Sequence, residues 1–139
     1  MKNLSLSLML LVLSFSAISQ EEKGITVTVT LENVLSSNGK ILSALHNQES
    51  FMKGQGIKND DVKAEKGEMI IEFKNVMPGT YAVSVLHDEN ENMRMDFQAN
   101  GMPKENYGLS QNPMLMGPPN FKDAQFEVND EDLALRIRF

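Results

Sequence analysis

The chain contains no cysteine, which excludes disulfides, thiolate nucleophiles and thiolate metal ligands. It also lacks the local signatures of many enzymes: no G-x-S-x-G, no H-E-x-x-H and no glycine-rich phosphate loop opening a helix. No stretch sustains the periodicity of a long helix, and nothing reads as a βαβ unit, an internal repeat, a linker or a low-complexity tract. Positive charge is scarce. Thirteen Lys and Arg against nineteen Asp and Glu give a formal net charge of -6, which disfavours nucleic acid and anionic membranes as partners. The apolar run LSLSLMLLVLSFSAIS is also short of the roughly 20 residues that span a bilayer.

That run follows Met1-Lys2-Asn3 and ends with Ala17 and Ser19, small residues at the -3 and -1 positions of a cut before Gln20. A positive start, a short apolar core and a small-residue exit form the pattern of a signal peptide over residues 1–19. Export to the periplasm or beyond follows, with no stable membrane insertion after cleavage. The remaining residues, 20–139, suffice for one domain with one core. With no disulfide available, packing must hold it together, and a bound ion is the remaining aid.

What is present is short-range alternation. Ile25, Val27, Val29 and Leu31 share one phase of the run 24–31, and Thr26, Thr28 and Thr30 share the other. This predicts an antiparallel strand with one buried face. Asn38-Gly39 is a turn before a strand over 40–46, and a short edge strand is expected over 62–64. Residues 48–58 read as a loop whose Phe51, Met52 and Ile57 dip onto the sandwich. Met69, Ile71 and Phe73 alternate over 68–74; Met77-Pro78-Gly79-Thr80 turns into a strand with Tyr81, Val83, Val85 and His87 inward. A final pair over 125–128 and 133–139 is joined by a tight acidic turn, with Leu133, Leu135, Ile137 and Phe139 inward. Lys63, Glu65 and Lys66 guard the exposed edges. About seven strands with short turns predict an all-β, two-layer Greek-key sandwich.

The exception is the stretch from His87 to Gly117, far longer than the usual connection. Asp88, Asn90, Asn92 and Asp96 stand at positions 1, 3, 5 and 9 of an oxygen-ligand calcium spacing. Met93 takes the place of the turn glycine and Ala99 that of the bidentate glutamate. A helix-loop-helix calcium site is therefore excluded. A looser calcium site helped by Glu89 or Glu91, and a solvated Asp/Asn-rich turn that needs no ion, both stay open. Met93, Met95, Phe97, Tyr107, Met114 and Met116 recur among glycines and prolines in the rest of the loop. Such residues can pin the loop to the sandwich, form an adaptable surface for an unknown protein or small apolar ligand, or bind Cu(I). His46 and His87 each end a strand; if they converge with Asp88, a hydrolase-like or metal-binding cluster is conceivable.

Several of these segments together resemble a bacterial family of small exported proteins, the domain of unknown function numbered 2141. They are Ile25 to Leu31, Asn38-Gly39-Lys40, Pro78-Gly79-Thr80-Tyr81-Ala82 and His87-Asp88-Glu89-Asn90, followed by Gly101-Met102-Pro103-Lys104-Glu105, Tyr107-Gly108 and Gly117-Pro118-Pro119. The resemblance covers residues 24–139. It implies a prealbumin-like or immunoglobulin-like sandwich outside the cytoplasm and supplies no catalytic activity. Similar members carry a D-x-N-G-N-G-like run after the histidine, whose glycine places are here Glu91 and Met93. The leading expectation is a non-enzymatic binding or accessory module that uses the 88–117 loop.

Overall fold

Alternating β-branched residues give the opening strand β1 (Ile25–Val34) a dry face and a threonine face. A computed structural model describes residues 24–139, and the expected signal peptide lies outside them. Two further strands are β2 (Lys40–His46) and β3 (Lys58–Lys63). They are followed by β4 (Gly67–Val76) and β5 (Gly79–Asp88). Then come β6 (Tyr107–Leu109), a one-turn helix α1 (Phe121–Ala124), β7 (Phe126–Val128) and β8 (Leu133–Arg138).

Two sheets result. One has the order β4-β1-β8; the other has the order β3-β2-β5-β6, with β7 also paired to β5. Between them lies one continuous core that includes Val27, Val29, Leu31, Ile41, Leu45, Ile71, Val83, Val85 and Ile137. The all-β sandwich expected from alternation is present, and nearly every inward residue named from its phase lines it.

The sequence reading needs four corrections. Among the described residues the strands number eight, because β6 forms inside the long connection. The last two strands do not pair with each other: β7 joins β5, while β8 crosses to the other sheet and runs parallel to β1. Phe126 and Val128 therefore reach the core from one sheet, and Ile137 from the other. The opening strand sits in a mixed sheet, antiparallel only towards β4. Finally, β3 starts four residues earlier than expected, and of the loop residues expected to dip inward only Phe51 is buried, with Met52 and Ile57 exposed.

β5 is buried on both faces, which period-two reasoning did not anticipate. Val83, Val85 and His87 face the core, while Ala82 on the opposite face sits in a second apolar cluster. Phe51, Leu109 and Ala124 complete that cluster, with Leu115 and Phe121 packed against it. Tertiary cover from three distant segments thus hides a face that the strand's own pattern left ambiguous.

Gly39 fixes how this sheet meets the long loop. Its φ is 67°, and a Cβ there would lie 2.1 Å from the carbonyl oxygen of Asp88 and 2.6 Å from Cα of Glu89. Only glycine permits that approach. The Asn38-Gly39 turn is therefore more than a reversal of the chain, because it seats the end of β5.

Candidate functional site

Successive strand residues point to opposite faces, so His87 and Asp88 part company at the end of β5. The His87 ring turns inward, stacks on Phe139 at 6.1 Å between centroids and donates from Nε2 to the carbonyl of Asn38 at 2.8 Å. Because a carbonyl only accepts, Nε2 carries the hydrogen. Nδ1 is buried without a partner among the described residues. Asp88 turns outward yet has no exposed surface.

A buried carboxylate must be compensated by donors. Asp88 takes two from the backbone, accepting at Oδ1 from the N–H of Asn92 (3.1 Å) and at Oδ2 from that of Met93 (2.7 Å). The chain closes tightly around it, and both glycine places of the related pattern take a left-handed backbone: φ is 57° at Glu91 and 64° at Met93. The loop keeps the shape that glycine would adopt freely, at a cost of order 1 kcal/mol for each side chain.

The other oxygen-bearing residues do converge. The carboxylate of Asp96 accepts from the side-chain amides of Asn90 (2.6 Å) and Asn92 (2.9 Å), and these bonds hold its pKa below the ordinary carboxylate value. The amide oxygens of Asn90 and Asn92 accept in turn from the N–H groups of Asn92 and Arg94. A second carboxylate, Glu105, braces the loop from its far end by accepting from the N–H groups of Glu89 and Asp96, each at 3.2 Å. Ser36 adds a bond to the Glu89 carboxylate at 2.6 Å. Among the described residues, no group of three or more His, Asp or Glu side chains is arranged to hold a metal ion.

This polar framework, with the β6 pairing, holds the loop, and the expectation that methionines pin it is corrected. Met93, Phe97 and Met102 are more than half exposed, and Met114 and Met116 are 92 % and 95 % exposed. Met95 and Tyr107 are partly covered. The loop's buried anchors are Leu109 and Ser110. Ser110 Oγ accepts from the N–H of Val83 at 2.9 Å and donates to the carbonyl of Ala124. A shallow groove of about 400 Å³ includes Pro113 and Leu115, the chain neighbours of Met114, and is lined also by Tyr107, Leu109, Asn112, Arg138 and Phe139.

The two histidines do not meet. His46 is opposite Ala82 in the β2–β5 register and His87 opposite Ile41, five positions further along. At strand rise that is roughly 17 Å, with the rings on opposite faces of the sheet. The convergence proposed for a His46, His87 and Asp88 cluster is absent. His46 instead stands between two hydroxyls, with Nε2 at 3.0 Å from Ser84 Oγ and Nδ1 at 3.3 Å from Ser50 Oγ. Phe51 closes edge-on over its ring. Burial pushes its pKa below the ordinary histidine value.

The sequence matches the model of a bacterial family over residues 29–136, described as "Uncharacterized protein conserved in bacteria". The chain belongs to the DUF2141 family. The match runs from the middle of β1 to Arg136 in β8, so the loop and its carboxylate framework are part of the family domain. No curated protein and no solved structure matches the chain.

Sequence reasoning found Asp88, Asn90, Asn92 and Asp96 but missed Glu105, Ser110 and Asn112. Asn112 bonds the free edge of β8, giving its amide to the Arg136 carbonyl and accepting from the Arg138 N–H, both at 2.9 Å. These three act across nine or more positions on groups with no local signature.

Two outcomes follow. Glu91→Gly and Met93→Gly should each change stability by about 0.5–1 kcal/mol in the stabilising direction, because relief of left-handed strain exceeds the added chain entropy. Urea unfolding checks this, and a loss of stability in both variants contradicts the strain assignment. For His46, a folded-state pKa below the unfolded value means that its contribution is full above about pH 6.5 and is lost as pH falls through the folded value. The thermal midpoint should therefore drop between neutral pH and about pH 5, and His46→Asn should flatten that drop. Asp96 and Glu32, both lowered from their ordinary carboxylate values, lose their contributions only at more acidic pH.

Proposed function

We propose that the protein is an exported, non-enzymatic binding module that recognises an apolar partner segment or a small apolar ligand through the loop between β5 and α1. The observation that carries this reading is the near-complete exposure of Met114 and Met116, next in the chain to Pro113 and Leu115 of a groove of mixed lining in which Leu109 and Phe139 stand beside Asn112 and Arg138. Exposed methionines cost a soluble protein hydrophobic stabilisation and offer a surface that adapts to varied apolar shapes. The loop backbone is held by carboxylates and β pairing, so these side chains are free for contact. Export rests on the short positive start, apolar run and small-residue exit of residues 1–19. Among the described residues no helix is long and apolar enough to cross a membrane.

The protein should be isolated from the exported fraction with Gln20 as its first residue. Replacing Met93, Met102, Met114 and Met116 by serine should leave its thermal midpoint within about 2 °C, since these side chains bury little. The same variant should lose most of its binding of an apolar fluorescent probe such as anilinonaphthalene sulfonate. Unchanged probe binding would sink the proposed surface.

A second reading is a weak calcium-stabilised module. It is favoured by the convergence of Asp96 and Glu105 with Asn90 and Asn92 around a buried Asp88. Oxygen donors of this kind suit calcium. The amide hydrogens of both asparagines already balance Asp96, so calcium would replace existing bonds and its gain would be small. A chelator should leave the thermal midpoint unchanged, and millimolar calcium should raise it by a few degrees. No rise at millimolar calcium removes this reading.

A further inference from the structure

A sheet edge is a row of backbone N–H and C=O groups awaiting a partner, and soluble proteins block such edges. Most edges here are blocked. β3 carries Lys58, Asp60, Asp61 and Lys63 within six residues. The edge of β8 is occupied by the Asn112 side chain. β6 and β7 are three residues each. β4 differs in length and cover: it is ten residues long and proline-free, with three charged residues, Glu68, Glu72 and Lys74, about a middle that reads Met69-Ile70-Ile71-Glu72-Phe73. Its register with β1 is continuous from Val27↔Phe73 to Leu31↔Met69, so no bulge twists this middle away. On its other side, no strand or side chain bonds the backbone from Glu68 to Lys74 among the described residues. Glu65 and Lys66, expected as guards, precede the strand. Ile70 on its outer face is 58 % exposed.

We propose that this edge pairs with the β4 edge of a second copy of the chain, antiparallel and about a two-fold axis through Ile71. The charges of the strand select the register. Keeping both cores on the same side requires inward residues to oppose inward residues, which leaves every second register. With Ile70 on the axis, Glu68 opposes Glu72 of the partner subunit twice. With Glu72 on the axis, glutamate meets glutamate. With Ile71 on the axis, Glu68 opposes Lys74 of the partner subunit, and the symmetric contact repeats it. Met69 then opposes Phe73 of the partner subunit, and the two exposed Ile70 side chains meet diagonally across the axis.

Opposite charges across a strand pair stabilise and like charges destabilise; a Phe73-centred register also sets Glu72 against Lys74 but pairs only residues 70–76, whereas the Ile71-centred register pairs residues 67–75 and is favoured by its length. The product is a continuous sheet of six strands made from two three-stranded sheets. A two-fold interface of this kind closes on itself and does not propagate. It lies on the sheet opposite the methionine-bearing loop's own sheet and is independent of the binding function proposed above.

Sedimentation of the purified protein over a range of concentrations should show a monomer–dimer equilibrium. Lys74→Glu places like charges together twice and should weaken the dimer by about tenfold or more. Adding Glu68→Lys to that variant should restore it, although the Glu68–Arg136 ion pair is then lost. Because the chain has no native cysteine, an Ile70→Cys chain mixed with a Glu72→Cys chain should oxidise to a covalent heterodimer in this register. A protein that stays monomeric at millimolar concentration overturns the proposal. So does a dimer indifferent to Lys74→Glu, or a monomer whose β4 edge accepts only an added extended peptide.

Discussion

The parting of His87 and Asp88 at the end of β5 is the constraint from which the rest of the site follows. Adjacent strand residues must face opposite ways, and here both directions lead to buried positions. Inward, the His87 ring joins Phe139 at the chain's last strand to Asn38 in the first cross-sheet turn. Outward, the buried Asp88 carboxylate recruits the Asn92 and Met93 N–H groups. One dipeptide thereby ties the core, the turn and the long loop together. Gly39 is the condition for it, since a side chain there would occupy the space of the Asp88 carbonyl.

How much of this was readable in the sequence depends on the range of the interaction. β1 and β4 were legible because alternation is local and each has one wet face. The core residues Val27, Val29, Leu31, Ile71 and Phe73 all fall on the phase expected. The pairing of β8 was not legible. An acidic turn between two apolar runs reads as a hairpin, and nothing in Asn129 to Asp132 says that the chain changes sheets there. The bond from Asp132 Oδ1 to the Thr26 N–H at 2.8 Å, which anchors that crossing, spans 106 positions. The same limit applies to the site. Asp88 to Asp96 show themselves by spacing, whereas Glu105 contributes through backbone groups that every residue possesses.

The histidines show how phase can decide a chemical question. Each ends a strand, which invited a shared site. Their register places them on opposite faces and at opposite ends of the β2–β5 pair. His46 then resolves its own polarity locally, because serine hydroxyls can donate or accept and so satisfy a neutral ring in either tautomer. The Ser84 contact joins two different strands, β2 and β5.

Polar and apolar residues have exchanged their customary tasks in the loop. Long connections are ordinarily held by apolar side chains folded back onto the core, with polar groups left to water. Here Asp88 and Glu105 hold the backbone, Asp96 holds the Asn90 and Asn92 side chains, and the large apolar side chains at 93, 97, 102, 114 and 116 are turned out. An isolated exposed methionine needs no explanation. Five large apolar side chains on a loop ordered by other means do, because a polar residue at any of those places would cost the fold little. Left-handed Met93 sharpens the point: the backbone there suits glycine, yet the position carries an exposed thioether side chain. The contact surface proposed for the loop rests on this exchange, since these exposed side chains add little to the packing of the fold.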